Sequence, residues 1–320
     1  MSGREAIGID LGGTKMLAGV VDESQKVLHE SRERSTGLSE EQLIDELAEE
    51  IAEAREARPG ALAAGLGIPC TIDQEKGMAI AAVNLPITDV PIREEIGERA
   101  GIPVFIDNDA NVAALAEHRF GAGRGAHYLV MLTIGTGIGG GLILDDKVYR
   151  GSIGAGAELG HLVVDEGGPR CQGNCPGFGH VETLASGTAI GREGRAAAES
   201  EPESKLGRAL AAGEEITGAT VTEAAKAGDE VALGVIAAAG RHLGAALVSY
   251  ANIFNPDVIV IGGGAAEGAG EMLLEPAREV LREQALRPMN ETAVKLAELG
   301  GDAGMIGAAA MALAELDAAG

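Results

Sequence analysis

Two threonine-containing glycine loops carry the strongest chemical signal in the chain, Asp10-Leu-Gly-Gly-Thr-Lys15 and Thr133-Ile-Gly-Thr-Gly-Ile-Gly-Gly-Gly141. Glycine lets the backbone approach an anion and turn its N–H groups toward it, and a threonine hydroxyl adds a donor beside those amides. The first loop offers Asp10, Gly12, Gly13, Thr14 and Lys15, and the second offers Thr133, Gly135, Thr136 and Gly137. One such loop alone also suits an ordinary turn. Two of them, each after a strand-like run and with Asn108-Asp109 between, point to a split clamp for phosphate and to phosphoryl transfer. Asp10 either forms a turn or orients a magnesium ion, which takes oxygen ligands and is satisfied by one or two carboxylates plus nucleotide phosphates.

A second constellation has metal-binding character. Cys171 and Cys175 are flanked by His161 and His180, and two thiolates with two imidazoles suit a tetrahedral, structural zinc ion. The competing reading is a loop with two free thiols. Cys70 stands apart and nothing makes it a nucleophile, while His118 and His242 fall within helical patterns.

The elements that must position these groups are strands, helices and glycine-marked turns. Residues 6–10, 16–21 and 26–29 read as successive strands, so the first loop lies in a β-hairpin. This departs from the P-loop, where a glycine loop opens a helix. Leu43, Ile44, Leu47 and Ile51 recur at helical spacing. Residues 62–68 and 104–106 read as strands, and 110–120 as a helix entered through Asn108-Asp109, where Asn108 also suits a helix cap. The pattern then restarts, with a strand at 128–134, the second loop and a return strand at 142–144. Residues 181–254 are mostly helical, 257–261 form a buried strand ending in Gly262, Gly263 and Gly264, and 303–316 have helical composition. Together these predict a two-lobed α/β enzyme with a cleft between its lobes.

Composition excludes several classes. The chain of 320 residues is long enough for two domains, and its net charge of −24 argues against nucleic acid as a partner. A bound nucleotide would depend on backbone amides and a metal ion. The amino terminus lacks a basic segment followed by an apolar run, which predicts a cytoplasmic protein. Residues 231–254 are apolar but interrupted by Arg241 and His242, so a packed helix is expected and no membrane partner. Three cysteines are no disulfide framework.

The ordered set Ile9-Asp-Leu-Gly-Gly-Thr-Lys15, Gly67-Ile-Pro69, Asn108-Asp-Ala-Asn111, the second glycine loop, Glu158-Leu-Gly-His161, Cys171 to Cys175 and Gly179-His-Val-Glu182 resembles the ROK group of bacterial sugar kinases over nearly the whole chain. The resemblance implies an actin-like, hexokinase-like ATPase fold of ribonuclease H type with an interlobe active-site cleft. It implies a small lobe over residues 1–110 rejoined by 303–320, and a large lobe over 111–302 containing the zinc loop. Asp109 is then the general base, Asn108, Glu158, His161 and Glu182 hold sugar hydroxyls, and Asn84 matches a sugar-contacting asparagine. The glycine triplet Gly262 to Gly264 resembles the adenosine side of an ATP site.

Within that group the chain is most similar to ATP-dependent glucokinases, which implies ATP, Mg2+ and structural zinc, a glucose or related hexose substrate, and a homodimer or dimer of dimers. Many ROK kinases hold zinc with three cysteines and one histidine. Here His180 takes the third-cysteine position, Gly173 replaces a cysteine and Cys171 lies two residues earlier, so the ligand set is shifted. The alternatives are a kinase for N-acetylmannosamine, fructose or mannose, a polyphosphate donor, or a non-catalytic sugar sensor of the same group. Regulatory members carry a DNA-binding module before the first loop, and the nine residues preceding Asp10 leave no room for one.

Overall fold

A computed structural model of the protein describes residues 3–12, 15–34, 37–82, 85–173 and 175–319. Thirteen strands are formed among them: β1 Glu5–Leu11, β2 Lys15–Asp22, β3 Val27–Arg34, β4 Ala61–Ile68, β5 Cys70–Asp73, β6 Met78–Ala82, β7 Thr88–Val90, β8 Val104–Asn108, β9 Tyr128–Ile134, β10 Ile138–Leu144, β11 Lys147–Val148, β12 Val258–Gly262 and β13 Ala293–Leu296. They form two five-stranded sheets, β3-β2-β1-β4-β8 and β11-β10-β9-β12-β13, and a small sheet β5-β6-β7. The two large sheets share one plan. In the first, a three-stranded antiparallel meander is followed by two parallel strands, β4 beside β1 and β8 beside β4. In the second, β12 runs parallel to both β9 and β13. Parallel neighbours need crossovers, and helices supply them.

Contacts divide the chain into two compact units. The first holds Met1–Gly125, Gly141–Ala157 and Gly301–Gly320, and the second holds Ala126–Gly140 and Glu158–Gly300. The expected boundary near residue 110 differs from this division. The helix Asp109–Phe120 stays with the first unit because it packs on the terminal helix Ala303–Ala319, where a side chain at Gly307 would collide with the Val112 carbonyl.

In the first unit β1 is buried nearly throughout, so its alternate faces read as one apolar run, and a helix covers each face. One is Glu40–Ala57, started by a Ser39–Gln42 capping box and burying Leu43, Ile44, Leu47 and Ile51. The other is the terminal helix, which lies so close that a Cβ at Gly8 would stand 2.0 Å from the Met305 carbonyl oxygen and one at Gly65 1.9 Å from that of Ala308. Glycine in these strands is a condition of the helix docking. Any larger residue would push the helix off the sheet.

In the second unit the longest element is the helix Glu230–Phe254, capped by Asp229. It is long and apolar enough to cross a membrane by composition, but packing explains its character. Leu243, Leu247 and Tyr250 are buried, and Gly240 and Gly244 abut the Leu273 and Ala277 carbonyls of the helix Glu271–Gln284. Tyr250 donates its hydroxyl proton to the Leu159 carbonyl, tying this helix to the segment that carries His161.

Candidate active site and metal centre

Sheet register gathers the first-unit site at the carboxyl ends of three parallel strands. Asp10 of β1 lies opposite Gly67 of β4, Gly67 opposite Asp107 of β8, and Ile68 opposite Asn108. Ligand sites of α/β folds occupy this strand edge because the backbone ends there and helices begin. Asn108 caps the helix Asp109–Phe120 by accepting from Ala110 N at 3.0 Å, and Asp109 accepts from the same amide at 2.9 Å. The capping role and the expected site role therefore fall on one residue. The Asn108 amide also donates to the Cys70 carbonyl at 3.5 Å.

Asp10 and Asp109 interact as like charges. Burial raises the Asp10 carboxyl to about 7, and the nearby Asp109 charge adds to the shift. The terminal helix contributes Gly304, where a Cβ would stand 2.4 Å from the Asp10 carboxylate carbon, so glycine there keeps the carboxylate in place. Gly141, the last residue of the second glycine motif, presses on the same helix as Asp109, its Cβ position 2.6 Å from the Ala110 carbonyl oxygen. At the mouth of the first loop Gly12 N donates to the Lys15 carbonyl at 2.8 Å, and Lys15 is exposed. Gly13, Thr14 and Asn84 lie outside the described residues.

Cys70 is buried and its thiol is pushed up to about 12 by burial, with Asp109 adding to the effect. It is an inert wall residue at neutral pH.

The second unit holds the other glycine groups. Thr133 stands opposite Gly262 at the paired ends of β9 and β12, and a Cβ at Gly263, whose φ is +90°, would meet the Ile134 carbonyl oxygen at 2.6 Å. A cavity of about 670 Å³ opens beside them, lined by Gly135, Thr136 and Gly264 together with Gly187, Thr188, Thr217 and Gly218. The last four carry no recognisable motif in the sequence. Gly187 begins one helix and donates to the Gly135 carbonyl at 2.8 Å, and Gly218 begins another and packs on the Gly187 carbonyl. Two helix N-termini thus face a cavity edged by the second loop, an arrangement suited to phosphate oxygens.

His161, Cys171, Cys175 and His180 converge with all four ligand atoms within 4.8 Å of one another. The two Nδ1 atoms are 3.1 Å apart, Cys171 Sγ is 3.6 Å from His161 Nδ1, and Cys175 Sγ is 3.7 Å from both Nδ1 atoms. A tetrahedral zinc ion with usual bond lengths of about 2.0–2.3 Å needs ligand separations of about 3.3–3.8 Å; the three sulfur–nitrogen distances fall in that range and the two nitrogens are slightly closer, so a small spreading of the rings would admit the ion. Gly177 leaves room for the His180 ring, which a Cβ would approach to 2.4 Å. Burial, and then the neighbouring His161, lowers the His180 pKa, which keeps the imidazole neutral as a ligand must be. Burial and Cys175 raise the Cys171 thiol to about 12, so a cation is what would make it a thiolate.

Glu182 joins this cluster to the second loop. Its Oε2 accepts from Ile138 N at 2.8 Å and occupies the space a Gly137 side chain would need, 2.3 Å from that Cβ position, while Oε1 lies 3.8 Å from Cys171 Sγ. His161 Nε2 points toward Glu158 Oε2 at 3.9 Å, leaving Nδ1 in the cluster, and the Glu158 side chain is 60% exposed. Glu158, His161 and Glu182, to which the resemblance gives a sugar-holding role, thus lie beside or within the metal-donor cluster.

Fold and site define a protein with an acidic strand edge, a glycine-edged cavity and a loop of metal donors. The chain belongs to the ROK family, which it matches over residues 6–315. It is 38% identical over 308 residues to the glucokinase of Thermotoga maritima, covering 95% of this chain and 96% of that protein. A ROK family glucokinase from Streptomyces griseus, solved with glucose and AMPPNP, is similar at a TM-score of 0.85 and 35% identity, covering 97% of this chain and 99% of that one. A ROK family transcriptional regulator, a homologue of the Escherichia coli MLC protein, also reaches a TM-score of 0.85, at 29% identity over 95% of this chain and 76% of that one. Both catalytic and regulatory relatives share the fold, so function rests on the site.

Proposed function

We propose that the protein is an ATP-dependent glucokinase, transferring the γ-phosphoryl group of ATP to the 6-hydroxyl of glucose. The observation that carries this reading is Asp109, a carboxylate held at the start of its helix beside Asn108 and Asp10, in a relative of glucokinases. The sugar hydroxyl is a poor nucleophile, and Asp109 accepts its proton as it attacks phosphorus. Asn108, Glu158, His161 and Glu182 orient the other hydroxyls, with Asn84 as a further sugar contact. The cavity beside Gly135, Thr136 and Gly264 takes the nucleotide, whose phosphates meet the backbone amides of the second loop.

Mg2+ suits Asp10 and the nucleotide phosphates, since both offer hard oxygen donors, and it would supply neutralising charge. Zinc suits His161, Cys171, Cys175 and His180 as a closed four-ligand site, which fixes structure. With Nδ1 on that ion, His161 keeps Nε2 for a sugar hydroxyl. The protein acts in the cytoplasm as a homodimer to which the helix Glu230–Phe254 contributes, a proposal that light scattering tests directly.

The competing hexoses and a polyphosphate donor are separated by one panel of sugars and donors with the purified protein. Glucose with ATP should give the highest kcat/KM. A higher value for N-acetylmannosamine, fructose or mannose would overturn the substrate, and sugar binding without turnover would make the protein a sensor.

A further inference from the structure

Asp107 is 1% exposed, and its carboxylate accepts three hydrogen bonds. Oδ1 accepts from Asn108 N at 2.8 Å and from the Asn111 side-chain amide at 2.9 Å, and Oδ2 accepts from Arg150 Nε at 2.7 Å. Asn111 Oδ1 is itself buried and without a partner among the described residues, so the amide is oriented by Asp107 alone. A reversed amide would set oxygen against carboxylate. A buried carboxylate is tolerated when a cation and hydrogen bonds meet it, and Arg150 is the cation that does so.

Arg150 comes from a distant part of the chain that folds into the same unit. Its carbonyl accepts from Gly156 N at 2.9 Å, closing residues 150–156 into a loop, and the loop turns through positive φ at Gly151 and Gly154. Gly154 sits against β5, with its Cβ position 2.0 Å from the Ile72 carbonyl oxygen, so the loop is seated on backbone. The guanidinium also reaches Glu315 of the terminal helix at 3.5 Å. The same segment runs on directly into Glu158.

We propose that the Asp107–Arg150 ion pair is a positioning device that fixes Asn108-Asp109 at the end of β8 and registers the loop 150–156 against it. Asp107 and Arg150 do not touch substrate. They act through the Asn108 backbone and the Asn111 amide, and so set where the Asp109 carboxylate points. The inference rests on Asp109 being the base of the glucokinase reading.

The test compares Asp109→Asn, Asp107→Asn, Arg150→Lys, Arg150→Met and the double variant Asp107→Asn/Arg150→Met for melting temperature, kcat and the separate KM values for glucose and ATP. Arg150→Met leaves a buried carboxylate without its cation, so its melting temperature falls, and the double variant, which removes both charges, recovers it. Turnover does not recover with it. In Arg150→Lys and in the double variant kcat/KM for glucose stays down about 10- to 100-fold, the scale of a small misplacement of a reacting group, while KM for ATP stays within about twofold of wild type. A double variant with restored stability and wild-type kcat/KM for glucose would reduce the pair to a structural ion pair and overturn the inference. A KM for ATP that rises as much as the KM for glucose would overturn it too. If Arg150→Met does not fold, Arg150→Lys and the double variant carry the same comparison. Asp109→Asn separates the layers: near-wild-type turnover there removes the base reading itself, whereas an inactive Asp109→Asn beside fully active pair variants defeats the positioning inference alone.

Discussion

At the scale of single residues, the site is a set of carboxylates held where charge is awkward. Asp109→Asn keeps the acceptor for Ala110 N but cannot take a proton, so the fold should persist while kcat falls by about 10² to 10⁴, the usual scale for a positioned base. Circular dichroism and steady-state kinetics check the two halves of that statement. Gly304→Ala should be nearly as damaging by a different route. Its new methyl would meet the Asp10 carboxylate, so the terminal helix or Asp10 must move. Activity should drop at least tenfold, with KM for magnesium-nucleotide rising, read by titrating Mg2+ at fixed ATP. The placement of Asp10 at a strand end and of Asn108 and Asp109 at a helix start was legible in the sequence, because a capping pair after an apolar run marks a strand-to-helix junction. Asp107 and Arg150 were not, because they are 43 residues apart and each alone reads as an ordinary surface charge.

At the scale of elements, the loop from His161 to Glu182 is the part whose order depends on something other than a core. Among its described residues it has only two isolated bridges, Val163 with His180 and Arg170 with Phe178, and no regular strand. The proposed zinc ion would supply the missing cross-link, and Glu182, bonded to Ile138 N in the second glycine loop, would pass its effect there. Cys175→Ser should therefore lose zinc by elemental analysis, lower the melting temperature and raise KM for glucose, whereas Cys70→Ser should keep its zinc. Chelator-free wild type that is fully active without stoichiometric zinc would contradict this. The edge strands β11 and β13 and the helix Glu271–Gln284 carried no expectation, but the other large-sheet strands and the helices Glu40–Ala57, Asp109–Phe120 and Ala303–Ala319 were readable from apolar runs, helical spacing and glycine punctuation. The sheet β5-β6-β7 and the helix Ile92–Ala100 were not. Their strands have five residues or fewer, and the helix buries only Ile92, Ile96 and Ala100, too few for a periodic signal.

At the scale of the whole molecule, a net charge of −24 surrounds a site meant for a polyanion. Long-range repulsion then opposes nucleotide entry, and only short-range amide and metal contacts hold it. Raising KCl from about 10 mM to about 150 mM should lower KM for magnesium-ATP up to a few-fold while leaving KM for neutral glucose unchanged. The shared plan of the two large sheets was visible beforehand as a strand, glycine loop, return strand sequence appearing twice. The lobe boundary was less so, because the helix Asp109–Phe120 follows the terminal helix, and that long-range partnership leaves no local mark. The most direct test of the central claim is glucose-dependent ADP release by the purified protein with ATP and Mg2+, with the product identified. Glucose 6-phosphate formed in one-to-one ratio with ADP by wild type, and lost in Asp109→Asn, is the expected result. Glucose binding with no ADP release, or equal turnover by the two proteins, would contradict it.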